Sequence, residues 1–142
     1  MEGWAGPRFY PNINSYTASF NTTNIYTGSQ SPPAEIKLAV MGESNDVSGS
    51  GPNHILEIKY KDASNNLMVF DNTSFYGYRL FDSLYTMPAS VFSTPTTNIV
   101  VTALTGNFNT SSQVVPYVVM KYPHNMNLAG SNGYYEMYVP EV

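Results

Sequence analysis

The sequence contains no cysteine. Disulfides, thiolate metal sites and cysteine nucleophiles are excluded together. The compartment stays open on this point, because an exported domain folds without bridges when its core is large enough. Charge is also scarce. Asp, Glu, Lys and Arg make up 11% of the chain, against a usual ~25%. The formal balance is −4, and Lys59 and Lys61 are the nearest approach to a basic run. Nucleic acid and anionic membranes are therefore not expected as partners. No stretch approaches the ~20 apolar residues of a membrane-spanning helix, so helical membrane insertion is not expected either. Met1-Glu2-Gly3-Trp4 lacks the basic start and apolar stretch of a signal peptide.

What is present is core material and uncharged polar surface. Apolar residues are 42% and aromatics 14% of the 142 residues, which argues against disorder. Tyr, Asn, Ser and Thr take the place of charge, a composition common in exported β-proteins. The expectation is one domain over residues 1–142, cut from a longer exported chain and located at the cell surface or outside it. A chain of this size buries roughly 68–70% of its unfolded surface and needs no staple.

Strand patterns recur along the chain. Ala34, Ile36, Leu38 and Val40 alternate with Glu35 and Lys37, and His54, Leu56, Ile58 and Tyr60 alternate with Glu57 and Lys59. This is the period of a half-buried strand. Tyr16, Ala18 and Phe20 alternate likewise, and Leu67 to Phe70 is a short apolar run. Asn98–Leu104 and Val114–Tyr122 are rich in β-branched residues. Phe75 to Tyr85 reads as one long strand or as two with a bend at Gly77, and Tyr134 to Val139 closes the set. Turn residues separate these segments, as in the connection Gly42 to Asn53. The pattern predicts an all-β, two-sheet antiparallel β-sandwich, jelly-roll-like, with about eight or nine strands. Pro116, inside a strong strand pattern, predicts an edge position or a bulge near Val115. Only Pro88 to Phe92 suits a helical turn.

Candidate chemistry is thin. His54 shares the face of Leu56 and Ile58, and His124 follows Tyr122-Pro123 in an expected loop. The two are not at metal-ligand spacing, so structural roles are expected. No serine lies in a nucleophile-elbow context, and Ser48-Gly49-Ser50-Gly51 lacks the lysine of a phosphate loop. No catalytic residue is nominated. Glu43 and Asp46 share one loop and are the candidates for calcium. Calcium needs six to eight oxygens, and solvated acids are the preferred reading. No other cofactor is expected. Twelve tyrosines and one tryptophan raise the possibility of stacking on sugar rings, although a sandwich core also consumes aromatics. Trp4, Tyr134 and Tyr135 are the candidate ligand or interface aromatics; Tyr134 and Tyr135 point to opposite faces if both lie in a strand. Asn21-Thr22-Thr23, Asn72-Thr73-Ser74 and Asn109-Thr110-Ser111 match the N-glycosylation pattern and mark expected surface loops.

Three segments together resemble the non-catalytic sandwich region of the gingipain-like cysteine peptidases of Bacteroidetes, a family that includes the type IX secretion sortase. They are Gly3-Trp4-Ala5-Gly6-Pro7-Arg8-Phe9, Phe81-Asp82-Ser83-Leu84-Tyr85-Thr86-Met87-Pro88, and Tyr117-Val118-Val119-Met120-Lys121-Tyr122-Pro123. His124 stands where the family often has arginine. Asp82-Ser83-Leu84 also resembles the Bacteroidetes O-glycosylation pattern. The resemblance implies an accessory, bacterial, cell-surface or extracellular domain that precedes a catalytic domain and packs against it or helps hold a protein substrate. The Cys/His dyad of that family cannot reside here, since this sequence has no cysteine. A carbohydrate-binding module is the alternative, with a glycan as partner. A structural or adhesive surface domain is a further one.

Overall fold

A computed structural model describes residues 6–45, 50–106 and 110–125. Seven strands lie among these residues: β1 (Ser15–Asn21), β2 (Ala34–Gly42), β3 (His54–Lys61), β4 (Leu67–Phe75), β5 (Leu80–Met87), β6 (Thr96–Ala103) and β7 (Gln113–Lys121). They form two antiparallel sheets, ordered β1-β6-β3-β4 and β5-β2-β7. Apart from the β3–β4 hairpin, each connection carries the chain from one sheet to the other. This interleaving is the expected jelly-roll-like sandwich. The further strand expected at Tyr134 to Val139 lies outside the described residues.

Alternation decides which side chains enter the core. Ile36, Leu38 and Val40 of β2 face Leu56 and Ile58 of β3 and Ile99 and Val101 of β6, all fully buried. Each such side chain contributes about 1.5–3 kcal/mol relative to exposure. Rings fill the side where β4 and β5 form the sheet edges. Phe70 meets Tyr85 edge-on at 4.8 Å, Phe75 stacks on Phe81 at 6.2 Å, and Tyr60 packs on Phe92 at 5.4 Å.

Both features predicted for Pro116 are present. β7 is an edge of its sheet, and Val115 and Pro116 together oppose Val40, since Ala39 pairs Tyr117 and Met41 pairs Val114. A residue without an N–H suits this break in the ladder. The preceding stretch of the edge is covered, because Gly6 donates to the Val115 carbonyl at 3.0 Å and Phe9 to the Gln113 carbonyl at 2.9 Å. A second bulge between Ile58 and Lys59 leaves Phe70 as the extra residue on β4. The short turn predicted after Pro88 is a 3-10 turn, Ala89–Val91.

Candidate functional site

The bend read at Gly77 divides β4 from β5, and it is the most exposed aromatic feature of the described chain. Tyr76 is 56% and Tyr78 74% exposed, on either side of a buried Gly77. Gly77 has φ +59°, a conformation that a side chain disfavours. The backbone here is braced on three sides. The Gly77 N–H donates to Asn53 Oδ1 at 3.0 Å. The Arg79 N–H donates to the Gly77 carbonyl at 2.9 Å, and the Gly42 N–H donates to the Arg79 carbonyl at 3.0 Å. A Cβ at Gly42 would overlap the Gly77 carbonyl oxygen and His54 Nε2, so the approach of β2 to the turn requires glycine. The result is two tyrosines presented to solvent from a fixed frame, with exposed Arg79 following them.

A buried polar group lies against the underside. His54 Nε2 is 3.1 Å from the Ser44 carbonyl, and its Nδ1 is 2.8 Å from Gln113 Nε2. A carbonyl only accepts, so Nε2 carries the hydrogen and Nδ1 accepts from the Gln113 amide. Gln113 Nε2 also donates to Ser111 Oγ at 3.0 Å, which leaves Gln113 Oε1 without a partner among the described residues. The His54 ring stacks on Phe75 at 4.7 Å. Burial pushes its pKa below the ordinary 6.5, against hydrogen bonds with the Ser44 and Gly77 backbones that raise it. Both nitrogens are engaged in holding the fold, the structural role read from its place on the face of Leu56 and Ile58.

Concave surfaces occur elsewhere among the described residues. The outer face of β5-β2-β7 carries a groove of about 260 Å³ lined by Glu35, Lys37, Leu84, Val119 and Lys121. Lys37 Nζ lies 5.6 Å above the Tyr117 ring, and its 3.9 Å pair with Asp82 and the 3.7 Å Lys121–Glu35 pair cross the strands. A second cleft, near Asn12, Asn14 and Thr102, is lined by amides already in use. Asn14 accepts from the Tyr10 N–H and donates to the Arg8 carbonyl, and Asn12 donates to Thr105 Oγ1.

The nominated residues fare unevenly. Trp4, Tyr134, Tyr135 and Asp46 lie outside the described residues, as does Asn109. Glu43 accepts a 2.6 Å hydrogen bond from Arg8 Nε, which holds the arginine pKa above its ordinary value. Among the described residues no three His, Asp or Glu side chains come together as a metal site. The same Glu43 oxygen, Oε2, also accepts from Ser112 Oγ at 3.4 Å. His124 is exposed and its Nδ1 faces the Asn125 carbonyl at 2.8 Å. Of the three glycosylation-pattern segments expected as surface loops, the two whose asparagines are described depart from that expectation, since Asn21 is the last residue of β1. Asn72 lies within β4, and Thr22 is fully buried with its hydroxyl on the Ser93 carbonyl.

No protein-family model matches the sequence, and no curated protein does. Solved structures are similar in fold. TmCBM61, a carbohydrate-binding module in complex with β-1,4-galactotriose, is 9% identical at a TM-score of 0.50, covering 81% of this chain and 68% of that one. The carbohydrate-binding module CBM36, in complex with calcium and xylotriose, is 14% identical at 0.48, covering 80% and 78%. A family 16 carbohydrate-binding module is 8% identical at 0.43, covering 80% and 74%. The first of these establishes the β-sandwich fold and nothing finer.

Sequence reasoning passed over Tyr76 and Tyr78. A signal was present: a ring on each side of a bend glycine has no strand register to carry it inward. The count of twelve tyrosines hid it, because most described rings do serve the core.

Proposed function

We propose that this chain is a carbohydrate-binding module and that its glycan docks on the Tyr76-Gly77-Tyr78 turn. The observation that carries the reading is the exposure of both tyrosines, 56% and 74%, on a backbone held by three hydrogen bonds. Exposed ring faces suit the apolar faces of pyranose rings, while phenol hydroxyls remain free for sugar hydroxyls. A fixed backbone lowers the ordering cost of binding. TmCBM61, which holds a galactotriose, uses a similar sandwich; this supports the reading by analogy of fold. No group on the turn suggests bond cleavage. The test is a glycan array and affinity electrophoresis on the whole chain and on Tyr76→Ala/Tyr78→Ala. Retention by at least one glycan, weakened about tenfold or more in the double variant, supports the reading. Retention unchanged in a folded double variant, or no retention at all, contradicts it.

A second reading has its own observation. Met41 pairs with Leu80 across β2 and β5, and Leu84 and Val119 flank Lys37 from either side. All four apolar side chains are at least 37% exposed on one sheet face. An accessory domain that packs this face on a neighbouring domain of the same chain, as the gingipain-like resemblance implies, would cover them. Co-purification of the domain with its flanking sequence expressed separately, abolished by Leu84→Asp, supports it. Failure to associate contradicts it.

A further inference from the structure

We propose that the glycan taken by this turn is an acidic one, and that Arg79 receives its carboxylate. This rests on the glycan-binding reading of the same turn. The chain has six Lys and Arg side chains against ten Asp and Glu. Four of the six are ion-paired: Arg8 with Glu43, Lys37 with Asp82, Lys59 with Glu57 and Lys121 with Glu35. Arg79 has no acidic partner among the described residues, in a protein with acid to spare. It is exposed, directly follows Tyr78 and precedes Leu80, which is 57% exposed. Its own N–H and carbonyl are both bonded, to Gly77 and Gly42. The Cα is thereby fixed relative to the two tyrosines, while the guanidinium has no ion-pair partner among the described residues.

That combination selects for a class of ligand. A guanidinium offers a planar fork that matches a carboxylate with two parallel hydrogen bonds, and it is always charged. A neutral sugar hydroxyl accepts from the guanidinium without opposing its charge or matching both arms of the fork. A uronic acid places a carboxylate on the sugar ring itself, next to the face that a tyrosine would stack. The ligand chemistry is thus a uronate-bearing oligosaccharide with one ring on Tyr76 or Tyr78 and its carboxylate on Arg79.

The experiment compares a panel of uronate-containing glycans with the same glycans after methyl esterification, which removes the charge and keeps the backbone. Sulfated glycans form a third arm. Preferential binding of the free acids, lost on esterification and weakened by salt, is the expected result. Arg79→Ala should lower affinity for the acids about 10- to 100-fold, and Arg79→Lys should recover part of the loss, since charge returns without the fork. Circular dichroism confirms folding of both variants. Equal binding of acid and ester, or acid binding unaffected by Arg79→Ala, overturns the proposal. A preference for sulfates over uronates overturns the carboxylate assignment. If neutral glycans alone bind and Tyr76→Ala/Tyr78→Ala abolishes this, the inference about Arg79 fails and the glycan-binding reading stands. If nothing binds, both fail.

Discussion

His54 and Gln113 meet through a 2.8 Å hydrogen bond in which the amide donates to the ring. With Nε2 donating to the Ser44 carbonyl, the ring has one neutral tautomer that satisfies both neighbours. A second proton on Nδ1 would face the Gln113 NH2 group. The amide would have to turn so that Oε1 accepted it; the Ser111 hydroxyl would then donate instead of accept, and the amide NH2 would fall in the buried position that has no partner among the described residues. The fold is thus built for neutral histidine.

Acid sensitivity follows. The pKa of His54 in the folded chain is lowered from 6.5, chiefly by burial. The unfolded chain takes up the proton first as pH falls, so stability is complete above the unfolded value. It declines as pH drops from there toward the folded one. Thermal melts should show a falling midpoint between about pH 7 and pH 5, and His54→Gln should flatten that slope while lowering the midpoint throughout. A wild-type midpoint constant across this range contradicts the assignment.

Gly42→Ala should be among the most damaging single changes. The added methyl meets the Gly77 carbonyl and His54 Nε2 at once, and neither is the loose end of a flexible side chain. Urea denaturation should show a loss of about 3 kcal/mol. A loss below about 1 kcal/mol would mean that β2 and the turn part easily.

Tyr85 Oη donates to Asp71 Oδ2 at 2.5 Å, joining β5 of one sheet to β4 of the other. Burial, then the Asp71 bond, pushes the phenol pKa well above its ordinary 10.0. Tyr85→Phe should cost about 1–2 kcal/mol, because half-buried Asp71 loses its donor. In ultraviolet titration, wild type and Tyr85→Phe should show the same tyrosinate absorbance up to the alkaline unfolding transition. An extra ionising phenol in the wild type before unfolding contradicts the bond.

Much of the fold was legible because sheets write period two into the sequence. Ile36, Leu38 and Val40 alternate with Glu35 and Lys37, and the structure buries the first set. Pro116 announced its edge bulge through the missing N–H. Legibility ended where position depends on several loops at once. Gly77 read as a bend, but nothing in the local sequence says that Asn53, twenty-four residues away, braces it. Likewise the bond between Arg8 and Glu43 spans thirty-five residues, and nothing in the local sequence announces it. Thr22 read as loop surface, yet its hydroxyl is drawn inward by the Ser93 carbonyl.

The central claim is that the Tyr76-Gly77-Tyr78 turn holds a glycan. Its most direct measurement is a nuclear magnetic resonance titration of the nitrogen-15-labelled chain with the best array-selected oligosaccharide. The account predicts saturable shifts largest at the amides of Tyr76, Gly77, Tyr78 and Arg79, absent in Tyr76→Ala/Tyr78→Ala. Shifts centred on the Glu35–Lys37–Val119 face with this turn silent, or no saturable shifts, would contradict it.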